Sequence, residues 1–137
     1  MVLTFLDRYR ETGLAVLRIG IGLCFAFLHG FSKMFSGPEG WEGLAEAGGI
    51  PFAQVFFGFM GAFSEFFGGL LIAAGWLFRP ALFLAFCTMM VAIYGNIQRG
   101  NNFSHALELA IVFAGLFLTG PGRYSLDAVF SKSKPVR

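Results

Sequence analysis

Seven polar side chains, six of them able to hold a charge or move a proton, stand inside otherwise apolar sequence. They are Arg18, His29, Lys33, Glu65, Asn96, His105 and Glu108. Their types suit proton exchange and the hydrogen bonding of an oxygen-bearing ring. Imidazole gains and loses protons near neutral pH. A carboxylate set in apolar surroundings is a candidate proton carrier. Glu65, in FSEFFGGLL, is the one charged residue between Glu46 and Arg79. On a helix, Arg18 and His29 lie about three turns apart on one face, with Lys33 one turn further. His105 and Glu108 form an i, i+3 pair.

The elements that must carry these residues are membrane helices. Of 137 residues 56% are hydrophobic and 13% charged, and mean hydropathy is +0.70. A typical soluble domain is about 25% charged, and a chain of this size has too much surface to cover with fewer. The net charge of +2, without a basic cluster interleaved with aromatics, excludes a nucleic-acid partner. Four apolar stretches, roughly 13–35, 52–76, 80–98 and 104–119, approach the ~20 residues that cross a bilayer. The first carries Arg18 and no small-residue cleavage site, and reads as a retained span. The expectation is an all-α integral membrane protein, an antiparallel four-helix bundle forming one domain over 1–137. EGWEGLAEAG, between the first two stretches, predicts a short helix on the outer membrane surface, with Trp41 and Trp76 at the interfaces. The tail predicts a short amphipathic helix, SLDAVF, and a basic end. With both termini cytoplasmic, Arg8, Arg10, Arg79, Arg123, Lys132, Lys134 and Arg137 fall inside. Lys33 and Arg99 fall outside with Glu39, Glu42 and Glu46, a positive-inside pattern. Gly20 and Gly22, and Gly58 through Gly75, offer close-packing surfaces.

At about 1.5 Å per residue, Glu65 falls near the midplane and Arg18 toward the cytoplasmic side. His29, Lys33, Asn96, Gln98, His105 and Glu108 fall in the outer half. This predicts a polar pocket opening outward, with Glu65 at its floor and Arg18 beneath it. An unpaired charge at the bilayer centre costs about 2.5–3.5 kcal/mol, so Glu65 needs a partner, and Arg18 is the expected one. Plainer readings stand beside this. An Arg18–Glu65 ion pair need only fix helix register. Lys33 can snorkel to headgroups, His105 can sit at the interface, and Asn96 and Gln98 can end a span. Most of the nineteen Phe face lipid or fill the core. Cys24 and Cys87 behave as small hydrophobes, with a disulfide between them only weakly motivated. The sequence carries no metal, haem or flavin motif.

RIGIGLCFAFLHGFSKMF (18–35), SEFFGGLLIAAGWLFRPA (64–81) and ELAIVFAGLFLTGPGRYSLD (108–127) resemble the DoxX/DoxD family of small bacterial membrane proteins. The likeness covers nearly the whole chain. It implies a four-helix bundle in the bacterial inner membrane. Family members include a subunit of a thiosulfate:quinone oxidoreductase and proteins linked to quinones, catechols and oxidative stress. One is a membrane anchor for a redox complex. The family pattern falls on Arg18, His29, Gly30, Lys33, Glu65, Gly68, Gly69, Glu108 and the 120–127 ending. The resulting expectation is an oxidoreductase component that binds a membrane quinone or phenolic ring. His29, Glu65 and Glu108 would handle protons as catalytic residues. Arg18, Lys33, Asn96 and His105 would bind the ligand. Lacking its own electron carrier, it would need a quinone, a redox partner protein, or both. Two alternatives remain open: a non-catalytic anchor or assembly scaffold, and a small proton-coupled transporter. Without inverted repeats, the transporter would need a homodimer.

Overall fold

The computed structural model describes residues 2–132, and among them every regular element is helical. The basic end beyond Lys132 lies outside the described residues. Helix α1 runs Thr4–Met34, α2 Gly37–Ala47, α3 Gln54–Ala74, α4 Phe78–Gln98, α5 Ser104–Thr119 and α6 Leu126–Lys132. α1, α3 and α4 are long and apolar enough to cross a membrane, while α5 is a shorter apolar helix of 16 residues. α1 begins at Thr4, ahead of the apolar stretch, with a tight 3₁₀ turn over Thr4–Tyr9. The expected loop helix is α2, with Pro38 in its first turn, where a missing N–H is harmless.

The outer surface is greasy. Leu28 is 72% exposed, Ile111 64% and Leu118 81%. In water such a surface would aggregate, whereas in a bilayer it is matched to its solvent. Inside lie Phe25, Ile72, Phe78, Leu82, Phe113 and Leu116, with the Phe25 and Phe113 rings edge to face at 4.9 Å.

Small residues set the register of α1 against α3. A Cβ on Gly22 would stand 2.6 Å from the Ala73 amide nitrogen, and one on Gly69 would stand 2.7 Å from that of Ala26. One on Gly30 would collide with the backbone at Glu65 and Phe66. The helices therefore run antiparallel with backbones touching along Gly22, Ala26 and Gly30, at the one-turn spacing through which membrane helices approach closely. Where they touch, both carry a π-helical turn, Phe25–Gly30 on α1 and Ser64–Gly68 on α3. Such turns insert a residue into a helix and recur at functional sites.

The 120–127 ending locks one end of the molecule. Gly75, at φ 69°, closes α3, and Leu77, at φ 47°, begins the turn into α4. A non-glycine residue there costs about 1–3 kcal/mol. Asp127 offsets this by accepting the Leu77 and Phe78 amides, each at 3.0 Å, and its own amide donates to the Gly75 carbonyl at 2.9 Å. Arg123 donates its amide to Glu11 at 3.0 Å, joining the start of α1 to the same end. We call this the terminal end, and the opposite one, with Trp41, Arg99 and His105, the loop end.

Candidate functional site

The paired π turns deliver a carboxylate to an ammonium. Lys33 follows Gly30 by three residues, so the contact of Gly30 with the Glu65–Phe66 backbone brings Lys33 over Glu65. Lys33 Nζ donates to Glu65 Oε1 at 2.8 Å and Oε2 at 2.6 Å. The Glu65 side chain is 7% exposed and that of Lys33 35%. The Lys33 backbone is held too. Its carbonyl accepts Ser36 Oγ at 2.7 Å and Trp41 Nε1 at 3.0 Å, which ties α2 to the pair. α2 is seated by its own carbonyls, Trp41 against Gly58 and Ala47 against Gly95.

Two cavities meet at this pair, sharing Lys33, Glu65, Ala92 and Asn96. The first, of about 350 Å³, lies between α2, α3 and α4. Its walls are mainly apolar, including Leu44, Ile50, Phe57, Leu84 and Val91, and Cys87 and Thr88 line it also. It exists because α3 and α4 pack closely only between the Ser64 turn and Gly75. Thr88 Oγ1 donates to Ser64 Oγ at 2.9 Å, close to the point where the two helices part. The second cavity, of about 260 Å³, lies between α1, α4 and α5. It is lined by His29, His105 and Asn102 besides the shared groups. His29 Nε2 and His105 Nε2 lie 3.2 Å apart, one imidazole donating to the other across α1 and α5. Asn96 accepts from Arg99 at 3.2 Å.

The structure thus brings together His29, Lys33, Glu65, Asn96 and His105. It separates the other two. Arg18 does not pair with Glu65, correcting the sequence expectation. It is buried at the terminal end and donates to the carbonyls of Ile72 (3.3 Å) and Ala73, and to that of Tyr124 at 2.7 Å. The last turn of α3 leaves carbonyls without helical partners, and a guanidinium satisfies several at once. Arg18 lines neither cavity, and nor does Glu108, which is exposed on α5. Lys33 does not reach outward as a lone headgroup contact, because both carboxylate oxygens hold it. Sequence reasoning did not pair Ser64 with Thr88. It also missed the Trp41 bond to Lys33 and the lining role of Asn102. Trp41, near the middle of α2, was a signal, since a half-buried indole N–H usually finds an acceptor.

Similarity to known proteins agrees with this framework. The model of the DoxX family matches residues 13–96, more than half of the chain, including His29, Lys33, Glu65 and Asn96. The chain belongs to the DoxX family. It is 34% identical over 136 residues to the inner membrane protein YqjF of Escherichia coli K12, covering 93% of this chain and 98% of that protein. No solved structure matches. A DoxX chain with several long apolar helices is a multi-pass membrane protein, in contact with the lipid bilayer.

Proposed function

We propose that this DoxX protein binds the head of a quinone or related phenolic ring in the cavity beside Lys33 and Glu65, and exchanges protons with it as a component of a membrane oxidoreductase. The observation that carries this reading is a bidentate ion pair, its carboxylate buried, set in the wall of a mainly apolar cavity. At about 350 Å³ the cavity is within the range of about 300–1,000 Å³ typical of ligand pockets, which are mostly apolar with a few convergent polar groups. The residues fit a ring bearing oxygen atoms. Lys33 has a third N–H beyond the two given to Glu65. Asn96 adds an amide, and the apolar walls suit a flat ring. When bound, a quinone supplies a reversible two-electron, two-proton couple, with electrons passed to or from a redox partner protein. The chain's own part is to orient the ring through Lys33 and Asn96, exclude water through α2, and hold a proton at Glu65.

The same reading takes all four apolar helices as spans, with both termini on the cytoplasmic side of an inner membrane. Two facts support α5 as the fourth. Its start contacts His29 at the loop end, and the segment after it is bonded to Arg18, Leu77 and Phe78 at the terminal end.

The experiment is mass spectrometry of organic extracts from gently purified protein, wild type beside Glu65→Gln and Leu84→Trp. A ring compound near one per chain in the wild type, lost in both variants, is expected. A second reading, a non-catalytic anchor for redox partners, is favoured by the fact that Lys33 and Glu65 already neutralise each other. No ring compound in any preparation would leave that one standing.

A further inference from the structure

The second cavity has a different character from the first, and the mechanism above leaves its two imidazoles unused. Its floor is the Lys33–Glu65 pair, and its mouth is at the loop end, where His105 and Asn102 are exposed. Its volume of about 260 Å³ has room for several waters at about 30 Å³ each, and they would have polar partners in Asn96, Asn102, His29 and Lys33. The Nε2 to Nε2 separation of 3.2 Å is a hydrogen-bond distance, so one ring donates and the other accepts. Imidazole is the side chain best suited to taking up and releasing a proton near neutral pH. The charged and titratable groups lining the route are His29 and Lys33 on α1, Glu65 on α3 and His105 on α5, with Glu108 a turn further; Arg99, just after α4, lines the first cavity and donates to Asn96. α2 contributes no titratable side chain to either cavity.

We propose that His105 and His29 are the proton access to Glu65, so that the site exchanges protons with the compartment at the loop end alone. A proton taken from that compartment by His105 crosses the shared hydrogen bond to His29. Water in the cavity then carries it to a Glu65 oxygen, and release reverses the path. Toward the terminal end the route is shut by Phe25, Met89 and Leu109 lining the cavity, and beyond them by the packed core. This deepens the ring-binding reading by stating which side supplies or receives the protons. Access itself is tested without any ligand.

The full chain is reconstituted in liposomes, its sidedness scored by protease digestion of a C-terminal tag. The pH is jumped on one side and the carboxylic C=O infrared band of Glu65, identified by its absence in Glu65→Gln, is followed in time. In the wild type the band should respond tenfold or more faster to a jump at the loop end. His105→Phe should slow that response at least tenfold, and imidazole in the buffer should restore much of it. Ala106→Leu, which narrows the cavity without touching a titratable group, should slow it without rescue by imidazole, and covers the case in which His105→Phe does not fold. A band that follows the terminal-end compartment, or an unchanged rate in both variants, overturns the proposal. A protein that holds no ring compound yet shows these rates keeps the proton route and loses only the quinone reading.

Discussion

Lys33 and Glu65 are a pair whose halves are unequal in exposure, and this decides what each substitution costs. Removing a partner from a buried pair costs about 3–5 kcal/mol, mostly because the other charge is stranded. Glu65 is nearly fully buried while Lys33 keeps a third of its side-chain surface. Lys33→Met, which strands the buried carboxylate, should therefore cost more than Glu65→Gln, which leaves an ammonium able to reach outward. The double change Lys33→Met with Glu65→Leu should recover most of the loss, because it removes both desolvated charges. Unfolding titrations in mild detergent measure all three, and a double variant as unstable as the sum of the singles would sink the argument. The need for a partner was legible in the sequence; its identity was not. Helical periodicity places Arg18, His29 and Lys33 on one stripe, and any of them satisfies the charge rule. What chooses Lys33 is the Gly30–Phe66 contact, which leaves Arg18 about 18 Å along the helix from the level of Glu65.

At the scale of helices, glycines of similar appearance separate into those that set distance and those that do not. A methyl group on Gly30 would enter the backbone of α3, whereas one on Gly20 or Gly61 meets nothing within 4 Å. Gly30→Ala should push α1 from α3, cost at least the ~1–3 kcal/mol of an overpacked core, and break the Lys33–Glu65 bonds. Gly20→Ala should be neutral or mildly stabilising. Thermal denaturation in detergent distinguishes them, and equal tolerance of both would show that the helices do not touch there. The terminal end gives a second contrast. Asp127 accepts two amides at the start of α4 with its charge at the positive end of the helix dipole. Asp127→Ala should cost about 2 kcal/mol, the upper end for a cap, and Asp127→Asn less. In both, cleavage by trypsin after Arg123 should speed up, and unchanged cleavage would mean that the segment is held by Arg18 alone. The sequence marked 120–127 as distinctive but gave no reason for it. Its role is visible only once Tyr124 and Asp127 are seen closing over Arg18 and the α3–α4 turn. The π turns had no signal either, since the flanking sequence is almost uniformly apolar and hides the ~100° shift that an inserted residue produces.

For the whole molecule, the four apolar stretches were the most legible feature, because hydropathy reports solvent directly. The point in need of proof is the fourth. At 16 residues α5 is about 24 Å long, short of the ~30 Å hydrocarbon core. Yet it packs beside α4 from the loop end to the terminal end, as the four-span reading proposed above requires. In that reading, bilayer thinning and the flanking Asn102 and Arg123 would make up the difference at a modest cost. If α5 crosses, Asn101 and Ser131 lie on opposite sides of the membrane. With Cys24 and Cys87 replaced by alanine, Asn101→Cys should react in intact cells with a maleimide that cannot cross the inner membrane. Ser131→Cys should react only after lysis. Reaction of both in intact cells would put the C-terminus outside and leave α5 lying along the surface. Arg18 would then lose its bond to Tyr124, and Asp127 its hold on α4. That chain would be destabilised at its terminal end, so the labelling result and the stability of Asp127→Ala must agree.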